Sequence, residues 1–146
     1  MMARAEAILA GPPVRDREES AQGLGRLGMT RYVRGDFAGG RKLFQRSLEI
    51  SPHPRMLVEW GIIANVAGHP AEALDYFRRS TTIAPGLASA WQGVAESAGA
   101  LGDTTSLREA IARLERLEPS NPVLAGARER LAALRGAGGA GGNTTR

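Results

Sequence analysis

The sequence repeats itself with a period of 33 to 34 residues. Moved back by 33 positions, the stretch from Gly61 to Pro85 falls on Gly28 to Pro52. The matched pairs are Gly28 with Gly61, Gly35 with Gly68, Phe44 with Phe77, Ser47 with Ser80, and Pro52 with Pro85. A forward shift of 34 gives a third, weaker copy with Ala95, Gly102, Ile111, Leu114 and Pro119. Such a period is typical of stacked helical hairpins, which bury their apolar sides against one another.

Each copy predicts two helices, A and B, with glycine at the turn between them and proline after the second. In the first copy helix A runs from near Ser20 to Arg34 and ends at Gly35, because glycine adopts the left-handed conformation without a steric penalty. Asp36 is the expected N-cap of helix B. The expected inward stripes are Leu24, Leu27, Gly28 and Arg31 in helix A, and Phe37, Gly40, Phe44, Ser47 and Leu48 in helix B.

The other two copies follow the same pattern, and Pro54 opens the second. In the second copy the inward stripe of helix A is Leu57, Trp60, Gly61 and Ala64, and that of helix B is Ala73, Phe77 and Ser80. In the third copy the stripe of helix A is Trp91, Val94, Ala95 and Ala98, and that of helix B is Leu107, Ile111 and Leu114. Ser120-Asn121-Pro122 predicts the start of a capping helix. Its apolar side, facing the stack, is Leu124, Ala127, Leu131 and Leu134, and its solvent side is Arg128, Glu129, Arg130 and Arg135.

The fold class expected is therefore all-α: an α-solenoid of three helix-turn-helix repeats with a C-terminal capping helix. Residues 1–19 form an N-terminal arm, which is either a degenerate repeat remnant or disordered. The repeat domain spans 20–135, with repeats at about 21–53, 54–87 and 88–121 and the capping helix at 122–135. The Gly-rich tail, 136–146, lacks periodic apolar residues and is expected to be disordered.

Composition narrows the function. The chain has no cysteine, which excludes disulfides, thiolate catalysis and zinc-thiolate sites, and nothing indicates a cofactor or a metal. The net charge of +4 is mild, and basic residues alternate with acidic ones, so nucleic-acid binding is disfavoured. No apolar run approaches the roughly 20 residues of a membrane helix. A cytoplasmic protein is expected, and a bacterial one, because arginine outnumbers lysine and alanine and glycine are abundant.

Catalysis is also disfavoured by the sequence. His53 and His69 are the only histidines, and each precedes a proline at a turn. Neither has an aspartate or serine at the spacing of a catalytic motif, and no phosphate-binding loop is present. We expect both histidines to be solvated and the protein not to be an enzyme.

The repeats resemble the tetratricopeptide repeat (TPR) family. The residues that carry this resemblance are Leu24, Leu27, Gly28, Gly35, Gly40, Phe44, Ser47 and Pro52 in the first copy and Leu57, Trp60, Gly61, Gly68, Ala73, Phe77, Ser80 and Pro85 in the second. The third copy keeps Trp91, Ala95, Gly102 and Pro119 but has Leu107, Ile111 and Leu114 where the family has small or aromatic residues. The resemblance covers about Ala21 to Pro119 together with the capping helix.

The resemblance implies a right-handed superhelix whose A helices line a concave groove that receives a peptide or helix of a partner protein. The residues expected to face this groove are Gln22, Met29, Tyr32, Val33, Arg55, Val58, Ile62, Asn65, Val66, Ser89, Gln92 and Glu96. Tyr32 and Asn65 are favoured as contacts because their polar ends require a partner or water. The protein is thus expected to be an adaptor, co-chaperone or assembly scaffold.

Two alternatives for the groove remain open. Val58 and Val66 could pack between neighbouring A helices, as could Met29 and Tyr32, which would leave the groove narrow. Residues 1–16 or a second copy of the protein could also fill it, and the protein would then be a self-associating subunit. Some TPR proteins grip a chaperone's C-terminal carboxylate through Lys and Asn. The corresponding places here, Gly25, Met29, Glu59, Ser89 and Gly93, disfavour that binding mode, although Arg55 could meet an acidic group.

Overall fold

The computed structural model describes residues 14–141, and side chains from residue 16 to residue 138. Within this span the chain forms seven α-helices and no strand. They are α1 (Val14–Val33), α2 (Phe37–Ile50), α3 (Pro54–Val66), α4 (Pro70–Ile83), α5 (Ala88–Leu101), α6 (Thr104–Leu117) and α7 (Val123–Gly141). The all-α helical-repeat fold is confirmed, with α1/α2, α3/α4 and α5/α6 as hairpins followed by α7. The chain divides into two compact units, Met1–Met56 and Leu57–Arg146, so the boundary falls inside α3.

The turn within each hairpin has the predicted chemistry. Gly35, Gly68 and Gly102 have φ angles of +97°, +82° and +73°, a region that residues with a Cβ rarely adopt. Asp36 caps α2 by accepting a hydrogen bond of 2.9 Å from the backbone N–H of Gly39. Asp103 caps α6 in the same way, accepting a 3.1 Å hydrogen bond from the backbone N–H of Ser106. These contacts satisfy N–H groups that a helix leaves unpaired at its start.

Asp103 makes a second contact that Asp36 does not. The hydroxyl of Ser106 donates to Asp103 Oδ2 at 2.6 Å, and Arg78 Nη2 lies 3.9 Å from the same oxygen. The two hydrogen bonds from Ser106, first that of the side chain and then that of the backbone, lower the pKa of Asp103 below its ordinary value. The carboxylate is therefore held in its ionised form at the start of α6, where the helix dipole also favours negative charge.

In the first unit, α1 and α2 approach closely at glycine. A Cβ at Gly40 would lie 2.7 Å from the carbonyl oxygen of Gly28 and 2.9 Å from Tyr32 Cβ, so only glycine permits this approach. Tyr32 is fully buried, and its ring meets that of Phe37 edge-on at a centroid distance of 4.8 Å. Phe44 is also fully buried. Ser47 donates from its hydroxyl to the carbonyl oxygen of Ala21, which ties α2 to α1 near the other end.

In the second unit, the ring of Phe77 lies between two helices at positions that bear no side chain. A Cβ at Gly61 on α3 would lie 2.5 Å from Phe77 Cζ, and a Cβ at Gly93 on α5 would overlap the same ring. Trp60 and Tyr76 meet edge-on at 6.1 Å. The predicted role of Phe77, filling the space between adjacent hairpins, is therefore confirmed.

The large buried side chains of α6 are all aliphatic. Leu107, Ala110 and Leu114 of α6 are completely buried, as the third copy of the repeat predicted for the two leucines. The side chain of Asn121 accepts from the backbone N–H of Val123 at 2.9 Å, so it caps α7. Leu124 on α7 is buried as predicted. Leucine, isoleucine and alanine thus supply the core on α6, where α2 and α4 supply the aromatic rings Phe44 and Phe77, while α5 keeps the buried ring of Trp91.

Several predicted boundaries and faces are corrected. Helix α1 begins at Val14, not near Ser20, and α7 continues to Gly141 through part of the segment predicted to be disordered. No proline follows Pro122, so nothing in the sequence stops α7. The buried stripe of α1 is Ala21, Gly25, Gly28 and Tyr32. Leu27, predicted to be inward, is 48% exposed, and Arg31 is exposed.

The remaining predictions for the ends of the chain, over residues 1–13 and 142–146, lie outside the described residues. Among those described, no helix has both the length and the apolarity needed to cross a membrane.

Candidate functional site

The predicted groove residues on α3 differ in exposure. Ile62 and Val66 are 51% and 85% exposed, and they are four residues apart, so they lie on the same side of the helix. Val58 is buried, which corrects its prediction as a groove contact and agrees with the alternative that it packs between helices. Two large apolar side chains on one side of α3 are thus left in contact with solvent.

Asn65 precedes Val66 on α3, and its side chain forms hydrogen bonds within the protein. Its amide nitrogen donates to Ser97 Oγ at 3.0 Å, and the Ser97 hydroxyl lies 3.2 Å from Asn65 Oδ1, to which it can donate. Ser97 is on α5 and fully buried, so this pair connects α3 directly to α5. The prediction that the Asn65 amide requires a partner is met within the protein itself, by an internal hydrogen bond.

On α5 the predicted residue Glu96 immediately precedes Ser97, the partner of Asn65, and its own partner is the predicted residue Gln92. The Gln92 amide donates to Glu96 Oε1 at 3.3 Å across one turn of the helix. Glu96 is exposed, and Gln92 is half-buried. We call Ile62, Val66, Gln92 and Glu96 the α3–α5 face.

A cleft between α5 and α7 adjoins the α3–α5 face through Glu96. Its volume is about 440 Å³, and it is open to solvent on one side. Its walls are mostly small or apolar: Ala95, Glu96, Gly99 and Ala100 on α5, and Pro122, Val123, Gly126, Ala127 and Arg130 at the start of α7. This α5–α7 cleft can accept an apolar side chain of another molecule, since small side chains leave the space and no buried charge opposes it.

Arg130 is exposed, as predicted for the solvent side of the capping helix, but it also contacts α5. Its Nε donates to the carbonyl oxygen of Gly99 at 2.9 Å. This carbonyl belongs to the last turn of α5, where it also accepts from the backbone N–H of Gly102 at 3.4 Å. Arg130 therefore ties α7 to α5 and borders the α5–α7 cleft. The small residues Ala95, Gly99 and Gly126 were the only sequence signal for this cleft.

The predicted groove residues of the first unit also differ in exposure. Tyr32 is 1% exposed, so its prediction as a partner contact is wrong; it packs against α2 instead. Val33 is 72% exposed and Arg55 is exposed. Gln22 and Met29 are half-buried. Their role in binding stays a prediction.

The two histidines lie just before prolines at the starts of α3 and α4. His53 and His69 are both half-buried, so each keeps part of its surface in solvent. His69 Nδ1 lies 3.6 Å from Glu72 Oε2, and Tyr76 donates from its hydroxyl to Glu72 Oε1 at 2.6 Å. This series lies along the first turns of α4, where a carboxylate is favoured by the helix dipole. Among the described residues, no cluster of histidine and carboxylate side chains could hold a metal ion.

No family model and no curated protein matches the sequence. Solved structures do resemble the fold. One is the first TPR of Spaghetti (RPAP3), bound to the HSP90 peptide SRMEEVD, with 16% sequence identity and a TM-score of 0.63. The similarity covers 82% of this chain and 94% of that one. At this level of identity the similarity establishes the architecture, and the chain has the fold of a tetratricopeptide repeat domain.

Proposed function

We propose that the chain is a non-catalytic interaction module that binds a peptide or helix of a partner protein on the α3–α5 face and in the α5–α7 cleft. The observation that carries this proposal is the exposure of Ile62 and Val66 on α3, a helix joined to α5 by the Asn65–Ser97 hydrogen bond, together with the apolar cleft that α5 forms with α7. Exposed apolar surface next to a cavity is typical of binding sites.

The surface has the chemistry of a peptide site. The α3–α5 face offers aliphatic side chains from α3 and an amide and a carboxylate from α5, so it can contact both apolar side chains and polar groups of a peptide. The α5–α7 cleft supplies room for one apolar anchor residue, and such buried anchors contribute most to the affinity of peptide complexes.

The similar TPR domain binds an HSP90 peptide, which supports peptide binding for this chain in general. The peptide is expected to differ, because Gly25, Met29, Glu59, Ser89 and Gly93 stand at the places of the family's carboxylate-gripping residues. We therefore expect recognition through apolar anchors instead of a C-terminal carboxylate.

The first test uses peptides selected from a random display library for binding to the wild-type chain. The Kd of a selected peptide is then measured for wild type, for Ile62→Glu and for Ile83→Glu by fluorescence anisotropy. Ile83 is a matched control, since it is 45% exposed but lies at the end of α4. We expect Ile62→Glu to weaken binding by at least about tenfold, because it places a charge against an apolar contact. The Ile83→Glu variant should stay within about twofold.

The cleft is tested separately with glycine variants on α7. Gly126→Leu would fill the cleft without a clash, because nothing lies within 4 Å of a Cβ at this position. Gly136→Leu on the same helix is equally free of clashes but lies outside the cleft. Only Gly126→Leu should weaken peptide binding. Equal Kd values for wild type, Ile62→Glu and Gly126→Leu would contradict the proposed site.

A further inference from the structure

Charge is distributed unevenly between the two units. Between Gly23 and Leu48 the chain has six basic residues, Arg26, Arg31, Arg34, Arg41, Lys42 and Arg46, and one acidic residue, Asp36. The carboxylate of Asp36 caps α2. In the second unit, by contrast, Arg79 pairs with Asp75 at 3.1 Å and Arg128 with Glu115 at 3.0 Å. The first hairpin as a whole, from Val14 to Ile50, has eight basic and five acidic residues, and its basic excess lies between Gly23 and Leu48.

Part of this charge is concentrated on the exposed side of α2. A depression of about 820 Å³ is lined there by Ala38, Gly39, Arg41, Lys42, Gln45, Arg46 and Glu49. Lys42 and Arg46 are exposed and one turn apart, and Glu49 is the one carboxylate among the lining residues. We call Arg41, Lys42, Gln45 and Arg46 the basic α2 face.

Arg41 is held in position by aromatic rings. Its guanidinium carbon lies 5.6 Å from the ring centroid of Tyr32 and 5.9 Å from that of Phe37. These cation–π contacts favour one orientation of a side chain that otherwise has many rotamers. A guanidinium that is already oriented binds a carboxylate with a smaller loss of conformational entropy.

We infer that the basic α2 face binds an extended acidic segment of a partner protein. Lys42 and Arg46 are separated by about 6 Å along the helix axis. Alternate residues of an extended chain repeat at about 6.6 Å, so two carboxylates on one side of such a segment match the two cations. The amide of Gln45, between them in sequence, can donate to and accept from the segment's backbone.

The same face is poorly suited to nucleic acid. Single-stranded nucleic acids are held by bases stacked on exposed aromatic rings. The two rings here are not available, because Tyr32 is buried and Arg41 lies over Phe37 as well as Tyr32. Carboxylates need only the charge and the hydrogen-bond donors that the basic α2 face presents. This inference does not depend on the peptide site proposed above, since it uses other residues.

The test measures binding of a fluorescent peptide of about ten glutamates to the full chain by anisotropy, at about 50 mM and about 200 mM salt. The comparison probes are a glutamine peptide and a single-stranded oligonucleotide of the same length. The variant Lys42→Glu/Arg46→Glu reverses the face. Arg108→Glu/Arg116→Glu changes the net charge equally on α6 of the second unit, where both arginines are exposed.

The expected result is binding of the glutamate peptide that weakens with salt and falls at least about tenfold in the Lys42→Glu/Arg46→Glu variant. The α6 variant should bind within about threefold of wild type. A matching circular dichroism spectrum and melting curve for both variants show that they are folded. Equal losses in the two variants, tighter binding of the oligonucleotide, or no binding at low salt would each overturn the inference.

Discussion

In the first unit, a glycine that lets two helices approach faces backbone, whereas in the second unit two glycines on other helices face a ring. A Cβ at Gly40 would meet the carbonyl oxygen of Gly28, at 2.7 Å, and the backbone nitrogen of Tyr32, at 3.0 Å. A Cβ at Gly61 or Gly93 would instead meet atoms of the Phe77 ring. Glycine thus allows direct contact between helix backbones in the first unit, and it makes room for the Phe77 ring in the second.

The two units should therefore differ in how well they tolerate added side-chain volume at these glycines. A ring can be exchanged for a smaller side chain, so the second unit can compensate for added volume at its glycines. A backbone carbonyl cannot be shortened, so the first unit can relieve a clash only by moving a whole helix. Substitutions at these glycines and at their neighbours test this contrast.

The largest effect is expected for Phe77→Ala, which should lower the free energy of unfolding by about 3–5 kcal/mol. Gly61 and Gly93 have no side chains that could move into the space, so the cavity should remain open. Urea denaturation followed by circular dichroism measures the change. An unchanged midpoint would show that Phe77 does not support the core.

The contrast itself is tested by pairing substitutions. Gly61→Ala and Gly40→Ala should each cost about 1–3 kcal/mol through overpacking, less the roughly 1 kcal/mol that alanine returns in helix propensity. In a Phe77→Leu background, the cost of Gly61→Ala should fall by about 1 kcal/mol or more, because the shorter side chain leaves room for the added methyl group.

For Gly40→Ala, shortening a neighbouring side chain should not lower the cost in stability. In a Tyr32→Leu background its cost should persist, since the clash with the carbonyl oxygen of Gly28 is unchanged. A double-mutant cycle for each pair, measured by urea denaturation, separates the two cases. Equal coupling energies in both cycles would contradict the distinction between backbone and ring contacts.

The smallest effect concerns the N-caps of the two units. Asp36→Ala and Asp103→Ala should each cost about 1 kcal/mol, and the cost should be greater for Asp103 because Ser106 donates to it twice. The folded-state pKa of Asp103 is lowered from 3.8, so its ionised form stabilises the fold above that pH. This contribution is lost as the pH falls through the lowered pKa.

The difference in unfolding free energy between wild type and Asp103→Asn should therefore be constant near neutral pH and shrink below about pH 4. The measurement is urea denaturation between neutral and strongly acidic pH. Ser106→Ala is the control, since removing the hydroxyl should flatten the dependence that this hydroxyl causes. A difference that stays constant in acid would contradict the assignment.

Most of the fold can be predicted from the repeat period. It predicts the hairpins, the turn at Gly35 and the N-cap at Asp36, because each depends on residues that are close in sequence. The orientation of α1 was mispredicted because hydrophobicity alone favours Leu27 as a core residue. In the fold, the small residues Gly25 and Gly28 allow close packing on their own side and bury Tyr32 there.

The candidate site was less predictable than the fold. The exposed pair Ile62 and Val66 follows from a second apolar side of one helix, which a sequence pattern can reveal. The bond between Asn65 and Ser97 joins residues 32 positions apart and depends on how two helices pack. The contact of Arg130 with a carbonyl of α5 depends in the same way on packing, which no local pattern specifies.

The hydrogen bond between Asn65 and Ser97 also selects one alignment of α3 against α5. If one helix slid by a turn, about 5.4 Å, the two polar groups would separate. Ser97 is completely buried, so its hydroxyl would then lack a partner at a cost of about 1–3 kcal/mol. The polar pair thus favours the same single register that the Phe77 ring requires between Gly61 and Gly93.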